Sequence, residues 1–171
     1  MKSWVLLPAL WLPVVAVAGQ TAGGVDPVRV EFHVMSKCPF AARVLRQIAP
    51  VLDSFGDHVR FGLEFIGDEK PDGLRSLHGD SEVEGDLVWV CTARYRPDDL
   101  LKLVVCMSEE YRKIPDNFAA CAERLGMPTE EIERCVTGGE GIGLLRMSFD
   151  ASRTRRAMGS PRSMPSILNR A

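Results

Sequence analysis

Between Val28 and Ile66 the chain changes its apolar period twice, and that change limits what it can fold into more than any other feature. Val28, Val30, Phe32 and Val34 alternate along a β-rich run that ends near Met35, the two-residue period of a strand with one buried face. Ala42, Leu45, Ile48, Ala49 and Leu52 then recur every three or four residues, which predicts a helix to about Ser54 laid against a sheet. Pro50 is expected to kink its last turns, and Gly56-Asp57 to end it. Residues 59–66 alternate again as a second strand. Strands joined by a helix run parallel, with a right-handed crossover.

Residues 67–81 are rich in Gly, Asp and Pro and read as a loop. From Glu82 to about Ser152 the pattern is helical throughout. Segments 87–95, 98–111, 116–125, 129–136 and 141–153 are separated at Pro97, Pro115, Gly126-Met127-Pro128 and Gly138-Gly139. Thr129 is placed as an N-cap with Glu130 and Glu131 behind it, although Ile132 stands where a capping box wants Glu or Gln. Gly159-Ser160-Pro161 then leads to a short strand over residues 163–169, entered through Pro165. The order β-α-β, helices, Pro-β predicts an α/β domain of thioredoxin-like plan over residues 28–171, with an all-helical insertion at 82–152. Folds of this plan continue with one more strand and a helix. Both are expected to be missing, because the sequence stops at Ala171.

The first eighteen residues carry Lys2, an apolar stretch from Trp4 to Val17 and the small-residue run Ala16-Val17-Ala18. That is the pattern of a secretory signal peptide with cleavage after Ala18. Pro8 and Pro13 make a membrane anchor a poor alternative. Residues 19–27 are expected to be a disordered lead-in. Without Lys2 there remain 20 basic and 23 acidic side chains with no run of like charge, so neither nucleic acid nor a membrane surface is indicated as a partner. An exported, periplasmic or extracellular product follows, in a compartment where disulfides persist.

The five cysteines are 38, 91, 106, 121 and 135, and an odd count leaves one thiol over. Cys38 lies where the first strand hands over to the first helix, in Ser36-Lys37-Cys38-Pro39-Phe40-Ala41. The positive end of a helix stabilises an anion there, so Cys38 is the cysteine placed for nucleophilic attack. Pro39 suits the first helical position. A two-cysteine exchange site needs its resolving thiol at position 41, which is Ala41, so only monothiol exchange or isomerisation is open to Cys38. The other four are spaced 15, 15 and 14 residues apart. Pairing 91 with 106 and 121 with 135 makes two hairpin staples, whereas pairing 106 with 121 inside 91 with 135 nests them. Spacing does not choose between these schemes. Paired C-x2-C motifs are absent, so structural disulfides are expected rather than a metal site. Pro165 holds the place of the proline that in thioredoxin-like proteins faces the reactive cysteine and helps seat an extended substrate. His33 and His58 read as ordinary, partly exposed positions.

These residues resemble the gamma-interferon-inducible lysosomal thiol reductase family and its bacterial relatives of the DsbA-like thioredoxin type, over nearly all of residues 28–169. The family signature C-Q-H-G-x2-E-C-x2-N-x4-C falls on residues 76–91, where His78, Gly79, Glu82 and Cys91 match. Its first two cysteines are Ser76 and Val83, its glutamine is Leu77 and its asparagine is Asp86. Losing both cysteines together is what a bonded pair would do, and it strands no thiol. The family's C-x2-C site falls on Cys38 and Ala41. The resemblance implies a thiol-disulfide oxidoreductase or isomerase that acts on disulfide-containing polypeptides or small thiols without a cofactor. The alternative is a non-catalytic binding or chaperone-like module of the same fold; a one-cysteine peroxidase fits less well. The family's lysosomal address applies to a eukaryotic member, and no N-x-[ST] site occurs in this sequence.

Overall fold

The computed structural model describes residues 26–158 of the chain. Strand β1 (Val28–Val34), helix α1 (Pro39–Ser54) and strand β2 (Val59–Phe65) form the expected unit. The two strands pair in parallel, with Val28 opposite Val59 and Val34 opposite Phe65. Pro50 sits inside α1, which continues past it to Ser54.

Two stretches depart from the sequence expectation. The segment 67–81 is not simply a loop: β3 (Asp68–Lys70) and β4 (Gly73–Arg75) form a small antiparallel hairpin. Helix α2 (Asp80–Tyr95) begins seven residues before the expected Leu87. Its first half, Asp-Ser-Glu-Val-Glu-Gly-Asp, has no apolar stripe, so periodicity gave no signal there. Acidic side chains in a first turn suit the helix dipole all the same. Helices α3 (Leu100–Glu109), α4 (Phe118–Leu125), α5 (Glu130–Thr137) and α6 (Glu140–Met158) follow. Thr129 does precede α5, but its side chain makes no capping hydrogen bond. The signal peptide expected at 1–18, most of the lead-in expected at 19–27 and the strand expected around Pro165 lie outside the described residues.

Helix α2 is the axis of the molecule. Gly85, Asp86, Val88, Trp89, Val90, Cys91, Thr92 and Ala93 are all buried, the pattern of a helix covered on most sides rather than on one face. It packs against β2, α3, α5 and α6, and Trp89, Phe65, Phe149, Leu63 and Leu103 are among the largest fully buried side chains around it. The disulfides are Cys91–Cys135, tying α2 to α5, and Cys106–Cys121, tying α3 to α4. This is the nested scheme. Each such bridge stabilises a fold by roughly 2–4 kcal/mol. Cys38 is the free cysteine. Among the described residues no helix is long and apolar enough to cross a membrane.

Candidate functional site

Cys38 occupies the N-cap position of α1, with Pro39 next to it inside the first turn. Its N–H donates to the Met35 carbonyl at 3.0 Å and its own carbonyl accepts from Ala42 N–H at 3.0 Å. The turn from Met35 to Cys38 is therefore closed on itself while the thiol is left uncommitted, since Cys38 makes no side-chain capping bond. It is partly exposed. Phe40 and Leu77 are among the most exposed large apolar side chains, at 74% and 77%. Phe40 is two residues beyond the thiol, and Leu77 is next to His78, which the following contacts tie to the same turn.

That turn is held from outside by α2. The Ser36 N–H donates to Asp86 Oδ1 at 2.9 Å, and the Ser36 hydroxyl donates to the Glu82 carbonyl at 3.0 Å. The Lys37 N–H donates to Glu82 Oε1 at 3.0 Å, while Lys37 Nζ reaches Ser81 Oγ at 2.9 Å. Glu82 Oε1 also pairs with His78 Nδ1 at 2.7 Å. Its Oε2 accepts from the Ser76 hydroxyl at 2.6 Å and from His78 N–H at 3.0 Å. One fully buried carboxylate thus takes four donors from the two segments that meet beside Cys38. Because the carboxylate accepts, the His78 proton lies on Nδ1, towards it.

Two glycines make this meeting possible. Gly79 has φ +87°, a left-handed backbone that glycine adopts at little cost; it turns the chain so that Glu82 N–H can donate to the Gly79 carbonyl at 3.1 Å. Gly85 faces the turn, and a β-carbon there would overlap Ile114 and the Ser36 hydroxyl. Gly85 therefore sets how closely α2 approaches Ser36. The sequence singled out Cys38, His78, Gly79 and Glu82 and gave no role to Ser36, Ser76, Gly85 or Asp86. Ser76 and Asp86 sit at signature positions where this chain departs from the pattern, and that was the one available signal. Pro165 lies outside the described residues; the cis peptide bond among them is Ile114–Pro115. His58 is exposed. His33 is partly exposed, as expected, with Nδ1 2.9 Å from Ser152 Oγ. Among the described residues no group of three or more His, Cys, Asp or Glu side chains is placed to hold a metal ion.

The two acids on α2 titrate in opposite directions. Burial pushes the Glu82 carboxyl up, but hydrogen bonds from Ser76, the His78 backbone and the His78 ring together outweigh it, and the net value falls below the usual one. Asp86 is pushed well above the usual 3.8 by complete burial, which the Ser36 bonds only partly offset and the Glu82 charge reinforces. Its Oδ2 has no hydrogen-bond partner among the described residues. Glu82 thus contributes stability above the ordinary carboxyl range, lost as pH falls through its lowered value. Asp86 behaves conversely: its contribution is complete below about 3.8 and is lost as pH rises towards its raised value. Asp86→Asn, which supplies the signature's asparagine, keeps an acceptor for Ser36 N–H and cannot ionise. In urea unfolding, parent and variant should nearly coincide near pH 4, and the variant should be more stable by about 1–3 kcal/mol near pH 8. A constant difference across that range would rule this account out.

A family model described as gamma interferon inducible lysosomal thiol reductase matches residues 29–125. No curated protein and no solved structure is matched. The match takes in β1 from Arg29, the Cys38 turn, the segment from Ser76 to Asp86 that holds it and the Cys106–Cys121 bridge. The chain belongs to the gamma interferon inducible lysosomal thiol reductase family.

Proposed function

We propose that the protein is an exported thiol-disulfide exchange protein, a thioredoxin-like domain over residues 28–171 with its helical insertion at 82–152, acting through the single nucleophile Cys38. The observation that carries this reading is the partition of the cysteines. Four lie in two buried disulfides, and the remaining one sits at the N-cap position of a helix, on a turn held by signature residues.

The Cys38 thiolate attacks one sulfur of a substrate disulfide R–S–S–R′, forming Cys38–S–S–R and expelling R′ as a thiolate, which takes up a proton. Release of R needs another thiol. Ala41 offers none. Pro50, near the far end of α1, lines a cavity together with Cys106, which puts that bridge about 18 Å along the helix axis from Cys38 at 1.5 Å per residue. A small-molecule thiol of the glutathione class therefore resolves the adduct. One such thiol displaces R–SH and a second regenerates Cys38, so two small thiols become one disulfide for each substrate disulfide reduced. If the attacking thiol belongs to the substrate, the same steps isomerise it. Phe40 and Leu77 supply an apolar surround suited to polypeptide substrates, and Pro165 is proposed to help seat them. Residues 1–18 direct export.

Incubation with glutathione disulfide should add one glutathione per chain, mapped to Cys38 by mass spectrometry and reversed by a dithiol, with no adduct in Cys38→Ser. An unmodified parent would overturn the reading in favour of a binding module without redox chemistry. Ala41 is the feature that favours that second reading. It requires peptide binding that is equal in the parent and in Cys38→Ser.

A further inference from the structure

The two disulfides differ in their surroundings. Cys91 and Cys135 are 0% and 2% exposed, and Gly141 packs so closely that a β-carbon there would lie 2.8 Å from Cys91 Sγ. Cys106 and Cys121 are 5% and 6% exposed, and Cys106 lines a cavity of about 420 Å³ between the C-terminal half of α1 and the α3–α4 pair. The walls are mostly apolar, from Ala49, Pro50, Leu101, Val105 and Leu125. A charged group touches the bridge: Arg124 Nη2 lies 2.7 Å from Cys106 Sγ and donates to Glu109 Oε2 at 2.9 Å. Lys102 and Asp53 complete the charged lining, so the cavity as a whole is balanced while a guanidinium sits on the sulfur.

From the cavity and the guanidinium we infer that Cys106–Cys121 is a second thiol-reactive site, opened at Cys106 by a small-molecule thiol that enters this cavity. The incoming thiolate R–S⁻ bonds to Cys106 Sγ and the Cys106–Cys121 bond breaks. Cys121 leaves as a thiolate and is protonated from solvent. Negative charge is shared mainly by the entering and leaving sulfurs during the transfer, and the Arg124 guanidinium on the Cys106 sulfur between them stabilises it from one bond away. The product is a mixed disulfide on Cys106. A second thiolate attacking the R sulfur frees Cys106, so two small thiols end as one disulfide and the bridge as two thiols. Opening this bridge unties α3 from α4 and leaves Cys91–Cys135 in place. It is a site for thiol modification that does not depend on Cys38, and it gives the α3–α4 corner a stability that follows the reducing power of its surroundings.

The test uses the folded parent chain in glutathione, quenched by alkylation at successive times and mapped by mass spectrometry. Cys106–Cys121, which borders the cavity, should open about tenfold or more faster than the more enclosed Cys91–Cys135, since exchange rates depend on access, with the first glutathione on Cys106. Arg124→Gln should slow that opening about three- to tenfold. Leu125→Trp, which narrows the cavity, should slow it as well. Equal opening rates for the two bridges, a first adduct on Cys121, or an Arg124→Gln rate equal to the parent's would each overturn the proposal. Protection of Cys91–Cys135 in each variant reports that it is folded; if Arg124→Gln loses that protection, the position of the adduct in the parent and the Leu125→Trp rate decide the matter. A chain whose bridge opens here in glutathione, yet whose Cys38 takes up no glutathione from glutathione disulfide, would refute the exchange reading and leave this one standing.

Discussion

Glu82→Ala is expected to destabilise the folded chain by about 3–5 kcal/mol, the range for removing one member of a buried, multiply bonded charged group. The variant leaves Lys37 N–H, His78 N–H, the Ser76 hydroxyl and the His78 ring without the acceptor they share, around a carboxylate that is itself fully buried. Glu82→Gln retains the shape and one good acceptor but turns an amide N–H2 towards donors, so its loss should be smaller, about 1–3 kcal/mol. Denaturant unfolding gives both values. The same contacts tie the Cys38 turn to the segment around His78. Alkylation of Cys38 in the folded variants should therefore change with stability in the order parent, Gln, Ala. A Glu82→Ala protein as stable as the parent would show that the latch is incidental.

Ala41→Cys should restore a dithiol site. Position 41 is three residues along α1 from Cys38, on the same side of the helix, and Ala41 is small and partly buried against the core. A thiol there attacks the Cys38 sulfur of a mixed disulfide within the molecule and releases the substrate without help. The lifetime of the mixed disulfide at millimolar external thiol should fall on the order of 100-fold or more, because an intramolecular thiol acts at a far higher effective concentration. Turnover should also lose its first-step dependence on small-thiol concentration. Stopped mixtures trapped with acid and resolved by mass spectrometry measure the lifetime. An unchanged lifetime would mean that residue 41 is not within reach of Cys38.

The strand, helix, strand unit could be read from residues 28–66 because its apolar period changes sharply and each element has its own repeat. The start of α2 could not. Residues 80–86 carry four acids and a glycine, and their helical state rests on burial against the Cys38 turn and Ile114, which no local period records. The hairpin at 68–75 was hidden for a related reason: three-residue strands are too short for alternation to show.

Cys38 as the odd thiol and Ala41 as the absent partner needed only the order of residues and the chemistry of exchange. Which cysteines join, by contrast, depended on α2 meeting α5 and α3 meeting α4, since near-equal spacing permits either scheme. The support of the Cys38 turn depended on the fold in the same way. Ser36 and Asp86 are 50 residues apart, and Lys37 and Glu82 are 45 apart; they meet only after the β1-α1-β2 crossover has formed and α2 has packed beside it. Local periods carry local structure, whereas a buried carboxylate acquires its donors, and its altered titration, from whatever the completed fold brings against it.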